Sequence, residues 1–460
     1  MDRGITRRRF LSDMGRVGLG CATLPMLALG GRAGAQGLPM GDDYRALVCI
    51  LLAGGNDSYN MVVPLDPAEY PGYAAARSDL ALASDTLLPI RPRGLGRDYG
   101  LHPSMPEVQQ LFDDGRLSVF ANVGTLAERV TLAELEAGAA RVPLGLYSHA
   151  DQIRQWQTSL PDSRSAVGWG GRVADLLEPF APAGALPLGI SLSGTNVFQS
   201  GEGAVEYSIT TQGSIGIEGF GDDDPFQQAR ADAIRALANG AQENLLKAQF
   251  GATIERSIQS HEVFTEALAS ADPLDTSFSP GPLSQGLAMV ARTIAARGAL
   301  DARRQTFFVT FGGWDHHDEL LDNQAGMLVT LSRALAEFDA ALGELGVRDE
   351  VTTFTISDFG RTLSSNGRGS DHGWGGNQLV MGGSVLGGEF FGEYPALEPD
   401  NPLDTGRGRL IPTLSTDEVF AELAMWFGVE PLDVEQVLPN IGRFTVPSRV
   451  SPPVGFLRNL

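Results

Sequence analysis

Six short segments of continuous apolar residues constrain the fold of this chain more than any other sequence feature. The first, residues 44–52, reads YRALVCILL and is followed directly by Gly54, Gly55, Asn56 and Asp57. Strands that are buried on both faces of a parallel sheet lack the apolar–polar alternation of half-buried strands. The segments therefore predict buried strands over residues 44–52, 117–123, 188–192, 306–311, 351–356 and 378–381.

Helical periodicity separates these segments, over residues 106–112, 225–249, 283–297, 318–345 and 416–427. The order strand 306–311, helix 318–345, strand 351–356 predicts a right-handed βαβ unit. The chain is thus predicted to be α/β, with a mainly parallel central sheet sandwiched by helices. Residues 194–225 are rich in Gly, Ser and Thr and predict a loop or hairpin insertion. With the helices up to about residue 300, they could form a cap or lid.

The first 35 residues predict an export signal that uses the twin-arginine (Tat) translocase. Arg7, Arg8 and Arg9 precede a weakly apolar stretch over residues 17–29, and small residues at 33–35 suit cleavage. The stretch is shorter than the ~20 residues that a membrane span needs. We therefore expect a leader at 1–35, a domain at 36–460, a periplasmic or secreted location and no stable membrane insertion. Lipid attachment at Cys21 is the alternative, although the sequence around it is a weak match.

The charge balance excludes some partners. Lys and Arg number 34 against 56 Asp and Glu, which gives a formal net charge of −22. A chain this acidic repels nucleic acid and anionic membranes, so no nucleic-acid partner is expected. Lys247 is the only lysine. Cys21 would leave with the leader, so Cys49 could form no disulfide within the mature chain.

Residues suited to metal binding follow the predicted strands. In open α/β sheets, ligands bind outside the carboxyl ends of the strands, where separate motifs can meet. Imidazole and carboxylate groups together suit zinc, manganese or, with fewer histidines, calcium. The predicted ligands of divalent metal ions are Asp57, Asp315, His317, Asp358, Asp371 and His372. For Asp57 the alternative is a helix or turn cap, and for Asp371 with His372 an ordinary polar turn.

The candidate catalytic residues are Ser148, His149 and Arg361. Ser148 could be a nucleophile, or it could cap the helix that follows. Arg361 could hold a tetrahedral oxyanion, or pair with a structural carboxylate. Residues 358–360 read DFG, as in protein kinases, but the chain has no His-Arg-Asp motif and its single lysine lies in a predicted helix. A kinase is therefore excluded, and the lack of Gly-x-Ser-x-Gly after a strand excludes an α/β-hydrolase.

Seven motifs along the chain resemble the DUF1501 family of exported bacterial proteins. They are LLAGGNDSYNMVVP (51–64), LHPSM (101–105), YSHADQIRQWQ (147–157), TFGGWDHH (310–317), SDFGRT (357–362), NGRGSDHG (366–373) and GGSVLGG (382–388). The resemblance implies an alkaline-phosphatase-like fold and a two-metal site. It implies metal ligands at Asp57, at Asp315 with His317, at Asp358 and at His372.

The resemblance and the motif positions together predict an exported, metal-dependent hydrolase of phosphate esters, with sulfate esters as the second choice. Neither cysteine begins the Cys-x-Pro-x-Arg motif that sulfatases convert to formylglycine. The expected partner is a small or polymeric ester substrate. The alternative is a non-catalytic exported binding or assembly protein that keeps the fold and a structural metal.

Overall fold

The strand Arg45–Ala53 lies at the centre of the main sheet in the computed structural model. It pairs in parallel with Arg304–Gly312 on one side and with Val351–Ser357 on the other. Its residues 46–52 are at most 5% exposed, as expected for a strand covered on both faces. The structure describes residues 43–182, 184–216, 224–240, 244–398 and 401–460, so the predicted leader 1–35 lies outside the described residues.

The sheet continues on both sides of this parallel core. Beyond Arg304–Gly312 lie Gly189–Ser191 and Tyr207–Thr210, both parallel, and then the antiparallel Gly213–Ser214. Beyond Val351–Ser357 lie Gly376–Met381 and Leu117–Gly124, each antiparallel to its neighbour. The short strands Phe390–Phe391 and Leu414–Ser415 pair in parallel with Leu117–Gly124. Each predicted apolar segment is a strand, and the predicted mainly parallel sheet is confirmed.

The antiparallel neighbour of Val351–Ser357 has a simple cause. After Ser357 the chain turns back at the same edge of the sheet, without a helix to cross over it. The returning segment contains a small antiparallel pair, Arg361–Ser365 with Ser370–His372. A third sheet consists of Val62–Pro64, Leu88–Ile90 and Tyr99–Leu101.

Helices cover both faces of the main sheet. Side chains of Val48, Ile50 and Leu52 pack in one core cluster with the helices Pro282–Ala295 and Leu320–Glu344. On the opposite face the helix Thr416–Phe427 is buried, and its Phe420 stacks on Trp169 with ring centroids 4.7 Å apart. The other α-helices are Ser58–Met61, Tyr70–Arg77, Pro106–Asp113, Leu132–Glu136, His149–Thr158, Trp169–Leu177, Pro225–Asn239, Leu245–Ser270 and Val434–Val437. The described residues also form 3₁₀ turns at Ser78–Leu80, Glu178–Phe180, Ala296–Gly298, Arg348–Glu350, Pro431–Asp433 and Ile441–Arg443.

The insertion differs from the prediction in one respect. The predicted single helix 225–249 is two helices, Pro225–Asn239 and Leu245–Ser270. The side chain of Asn244 accepts hydrogen bonds from the backbone N–H groups of Leu246 and Lys247, so it caps the second helix and fixes the break. The expected hairpin is Tyr207–Thr210 with Gly213–Ser214, whereas a cap or lid role stays a prediction. Among the described residues, no helix is both long and apolar enough to span a membrane.

Candidate metal centre

Glycines let three chain segments approach at the carboxyl end of the central strand. Gly54 has a φ of +123°, which L side chains rarely adopt, and a Cβ there would lie 2.5 Å from the backbone nitrogen of Asp315. A Cβ on Gly55 would lie 2.5 Å from the ring of Phe359. The glycines therefore bring the segments around Asp315 and Asp358 against the end of Arg45–Ala53.

Three of the predicted site residues present ligand atoms to one another at this edge. The ligand atoms of His149, Asp315 and His372 all lie within 4.8 Å of each other. Nε2 of His149 is 3.1 Å from Nε2 of His372 and 3.4 Å from Oδ2 of Asp315. Nε2 of His372 is 3.5 Å from Oδ1 of Asp315.

His317 adjoins this set through the same two partners. Its Nε2 lies 3.0 Å from Nε2 of His372 and 3.0 Å from Oδ1 of Asp315. Its other ring nitrogen, Nδ1, lies 3.1 Å from Oδ1 of Asp371. Asp371 also pairs with Arg407 at 2.7 Å. Asp371 therefore faces His317 and Arg407.

The Nδ1 atoms of the other two histidines are also held by acceptors. Nδ1 of His149 lies 2.6 Å from Oδ2 of Asp358, and the other oxygen of Asp358 accepts the backbone N–H of Gly54 at 2.9 Å. Nδ1 of His372 lies 2.8 Å from the carbonyl oxygen of Tyr147. A carbonyl only accepts, so neutral His372 carries its proton on Nδ1 and directs the lone pair of Nε2 to the centre of the site.

Arg361 lies beneath the site and not in it. Its side chain is fully buried, and its guanidinium donates to the carbonyl oxygens of Gly54, Gly55, Trp314 and Ser370 and to the carboxylate of Asp315. These bonds tie the end of the central strand to the segment that carries Asp315. A side chain engaged in this way orients Asp315 and does not face the open side.

Charge and burial at the site favour an ionised Asp315 and a neutral His372. Burial raises the pKa of Asp315, but the hydrogen bond and charge of Arg361 outweigh it and lower the pKa below its ordinary value. Burial lowers the pKa of His372, which favours the neutral ring. Burial raises the pKa of Asp358, against the opposing hydrogen bonds from Gly54 and His149.

A loop that sequence reasoning missed holds His372 and Tyr147 together. Nε of Arg409 donates to the carbonyl oxygen of His372 at 3.0 Å, and its guanidinium lies 4.9 Å from the centroid of the Tyr147 ring. Tyr147 has a φ of +72°, and its hydroxyl lies 3.2 Å from Oγ1 of Thr405. The only sequence signal for this loop is the Gly-Arg-Gly-Arg run at 406–409, which is conspicuous in an acidic chain.

Asp57 is engaged elsewhere. Its carboxylate pairs with the guanidinium of Arg77, and both side chains are at most 1% exposed. Arg77 also donates to Oδ1 of Asn60 at 3.0 Å and to the carbonyl oxygen of Thr362 at 2.9 Å. The positive charge that faces Asp57 thus comes from an arginine. Among the described residues, the ligand atoms that converge belong to His149, Asp315 and His372, and Asp57 is not one of them.

Ser148 lies at the start of the helix His149–Thr158, beside the site. Its hydroxyl forms a hydrogen bond with the carboxylate of Asp151, which lies one turn into the same helix. Ser148 and Asp57 are therefore the two predicted site residues that the structure leaves out of the cluster. It brings together His149, Asp315, His317, Asp358, Asp371 and His372, with Arg361 beneath them.

Solved structures with some likeness to this chain include a phosphoethanolamine transferase and a phosphonate monoester hydrolase. The C-terminal periplasmic domain of EcEptC from Escherichia coli is 12% identical, over 85% of this chain and 84% of that chain, with a TM-score of 0.34. The soluble domain of lipooligosaccharide phosphoethanolamine transferase A from Neisseria meningitidis is 9% identical, over 85% and 89%, with a TM-score of 0.33. Phosphonate monoester hydrolase SpPMH from Silicibacter pomeroyi is 11% identical, over 84% and 74%, with a TM-score of 0.32. At TM-scores this low, neither the functional residues nor the activities of these proteins can be assigned to this chain.

No curated protein sequence matches the chain. A family model does match, and it covers more than three quarters of the sequence. It is described as "Protein of unknown function (DUF1501)" and aligns with residues 44–405, a span that contains every residue of the cluster. The chain therefore belongs to the DUF1501 family.

Proposed function

We propose that this protein is a metal-dependent hydrolase of phosphate esters whose ion is held by His149, Asp315 and His372. The observation that carries the proposal is the convergence of two imidazole Nε2 atoms and an ionised carboxylate. With their protons on Nδ1, the two histidines direct only the acceptor atoms Nε2 to the centre, and Asp315 adds its carboxylate oxygens as further acceptors. A cation bound between these acceptors, which lie 3.1–3.5 Å from one another, would stabilise their close approach.

The distances fit a small transition-metal ion. With bonds of about 2.0–2.1 Å, the ligand atoms of a tetrahedral zinc ion are roughly 3.3 Å apart. Two imidazoles and one carboxylate suit zinc or manganese better than calcium, which prefers oxygen ligands. Three protein ligands with a fourth position open are typical of catalytic sites, whereas structural zinc sites are closed by four.

Residues around the centre support its ligands. Asp358 holds Nδ1 of His149, Tyr147 holds Nδ1 of His372, and Arg361 orients Asp315, so the side chains are preorganised. Asp57 does not fit the metal-ligand role implied by the family, because Arg77 already neutralises it. When bound, the ion would supply Lewis-acid polarisation of an ester oxygen and a water of lowered pKa.

The open side of the centre suits a substrate and a proton transfer. A cavity of about 450 Å³ lies there, and it is lined by Gly313, Asp315, His316, His317, Asp318, Asn323 and Met327. His317 is 43% exposed there and its Nδ1 is held by Asp371. We assign to Nε2 of His317 the uptake of a proton from the attacking water and its delivery to the leaving group. Arg407 is 45% exposed beside Asp371 and supplies positive charge near an anionic ester.

Phosphate esters are preferred to sulfate esters because the chain lacks the thiol chemistry of sulfatases. Cys49 is buried in the central strand, and burial raises the pKa of its thiol. It therefore offers neither a formylglycine precursor nor a thiolate at the site.

Export is part of the proposal. The twin-arginine sequence at the start of the chain supports a periplasmic or secreted location. Replacing Arg7 and Arg8 by lysine should leave the protein inside the cell with its leader attached, as read by fractionation and intact mass. Unchanged export of that variant would contradict the Tat route.

A non-catalytic metal protein is the second candidate, and one observation favours it. The hydroxyl of Ser148 contacts Asp151 and not the cluster, so a protein nucleophile is not in place. Native purification with elemental analysis, followed by a panel of phosphomonoesters, phosphodiesters and sulfate esters, separates the two. Turnover that disappears in His372→Ala supports the hydrolase. Bound metal without turnover supports the second candidate, and metal-free protein contradicts both.

A further inference from the structure

The helices Pro225–Asn239 and Leu245–Ser270 pack on each other and expose large apolar side chains where they meet. Leu237 is 74% exposed, Leu245 82%, Leu246 76% and Phe250 68%. We call these four residues the apolar tip. Single exposed apolar residues are common on protein surfaces, but a contiguous group on one projection marks a binding surface.

A groove between the two helices continues the apolar tip. It has a volume of about 570 Å³ and is lined by Ile234, Leu237, Ala238, Leu246, Lys247, Phe250, Gly251 and Ile254. All of these side chains are apolar except that of Lys247, which is the only lysine of the chain. Among the described residues, Lys247 has neither a hydrogen-bond nor an ion-pair partner for its ammonium group.

The apolar tip lies well away from the place where its helix joins the body of the protein. Ile258, Phe264 and Ala267 are buried, and the ring of Phe264 contacts Tyr207 of the main sheet at 5.6 Å. At 1.5 Å per residue, Leu245 is about 20 Å from Ile258 along the helix. The Debye length at physiological salt is about 8 Å, so the acidic body is largely screened from a surface that meets the tip.

We propose that the apolar tip docks on an anionic lipid surface. Leucine and phenylalanine side chains would enter the boundary between headgroups and acyl chains, while the stem of Lys247 lies along the groove and its ammonium group reaches a lipid phosphate. A second copy would meet the tip with the same apolar side chains and another Lys247, and so with no anionic group for the ammonium group. The single unpaired lysine within an apolar patch therefore fits a lipid surface better than a second copy.

Vesicle co-sedimentation of the mature protein tests this proposal at 0.15 M salt. Vesicles of phosphatidylcholine with one quarter phosphatidylglycerol should bind the protein, and pure phosphatidylcholine vesicles should bind it more weakly. Lys247→Gln should lower binding to the mixed vesicles roughly fivefold and leave binding to the neutral ones unchanged, because one lysine near an anionic surface contributes about that factor.

Leu246→Glu should abolish vesicle binding, and Leu432→Glu is its matched control because Leu432 is 94% exposed outside the two helices. Thermal melting of both variants should match that of the unsubstituted protein. Absence of binding to mixed vesicles, or equal binding by Leu246→Glu, overturns the proposal. Light scattering on the same samples tests whether a second copy of the chain occupies the apolar tip instead. If the protein binds no vesicles but forms an oligomer that Leu246→Glu dissociates, the apolar tip is a self-association surface.

Discussion

Oδ2 of Asp358 lies 2.6 Å from Nδ1 of His149, and this hydrogen bond directs Nε2 of His149 towards Asp315 and His372. Asp358 thus acts behind a histidine and not at the centre of the cluster. The arrangement is the carboxylate–histidine support that metal sites use to fix a tautomer.

Asp358→Asn should weaken metal binding without removing a ligand. An amide group placed towards Nδ1 of His149 would donate and favour the wrong tautomer, which removes the lone pair from Nε2. We expect a loss of roughly 10–100-fold in affinity, measured by competition with a chelator. Asp318→Asn is the matched control, because Asp318 is 57% exposed and pairs with Arg368. Equal affinity of the Asp358 variant would contradict its supporting role.

Arg409→Gln should also lower metal affinity, by roughly tenfold, because the contacts that hold His372 and Tyr147 together are lost. Competition with the same chelator measures the effect. Arg368→Gln serves as control, since Arg368 is 66% exposed and contacts Asp318 and Glu319. If both arginine variants bind metal equally well, the loop around Arg409 does not position His372.

Asp57→Asn should change stability and leave the metal content unchanged. The substitution leaves the buried guanidinium of Arg77 without its counter-charge, which costs about 3–5 kcal/mol in the free energy of unfolding. Denaturant unfolding and elemental analysis of the folded protein measure the two effects separately. The exposed neighbour Asp79 provides the control Asp79→Asn. Loss of metal from folded Asp57→Asn would instead support the ligand role that the family resemblance implies.

Glu422→Gln should destabilise the fold through the C-terminal segment. The buried carboxylate of Glu422 accepts the backbone N–H groups of Val454, Gly455, Phe456 and Leu457 at 2.7–3.0 Å. An amide would turn its own donor towards two of these N–H groups, so we expect a loss of about 3 kcal/mol in urea unfolding. Glu136 is exposed, and Glu136→Gln should be neutral. A neutral Glu422→Gln would show that these hydrogen bonds do not fasten the segment.

Acid should weaken the fold through His102. Burial lowers the pKa of His102 from 6.5 to about 4, and Nδ1 accepts the backbone N–H of Ser104 at 3.1 Å. Between these two pKa values the unfolded chain binds a proton that the folded protein does not, so stability falls as the pH drops from 6.5 towards 4. The contribution between pH 7 and pH 5 is about 2 kcal/mol. His102→Asn keeps an acceptor for Ser104 and should lose this part of the pH dependence in urea unfolding. Identical pH profiles would refute the assignment.

Local patterns predicted the strands and the convergence of the strand-end motifs. Burial on both faces leaves a direct signature in the sequence, and parallel strands bring Asp315 and Asp358 to one edge whatever the details of the loops. The break at Asn244 was missed because the cap signal at that residue lies within a longer stretch of helical periodicity.

Side-chain partners that are distant in sequence could not be predicted in the same way. Asp57 follows its strand as a metal ligand would, yet the helix Tyr70–Arg77 supplies Arg77 as its partner. The role of Arg409 depends on contacts with His372 and Tyr147 that only the tertiary structure brings about. The positions of the motifs after the strands thus located the site. Which of its residues are ligands and which support them could be decided only from the structure.

The position of Arg45–Ala53 in the sheet also sets the order in which this chain can fold. Arg45 pairs with Arg304 and Ala46 with Val351, so the first strand of the sheet gains its neighbours only after most of the chain has been synthesised. Contacts of such long sequence separation make folding slow, because a large loop must close before the pairing stabilises it. Until then an apolar, β-branched segment is exposed on the nascent chain and is prone to aggregate. The protein is therefore expected to fold after translation and to depend on a chaperone during that interval.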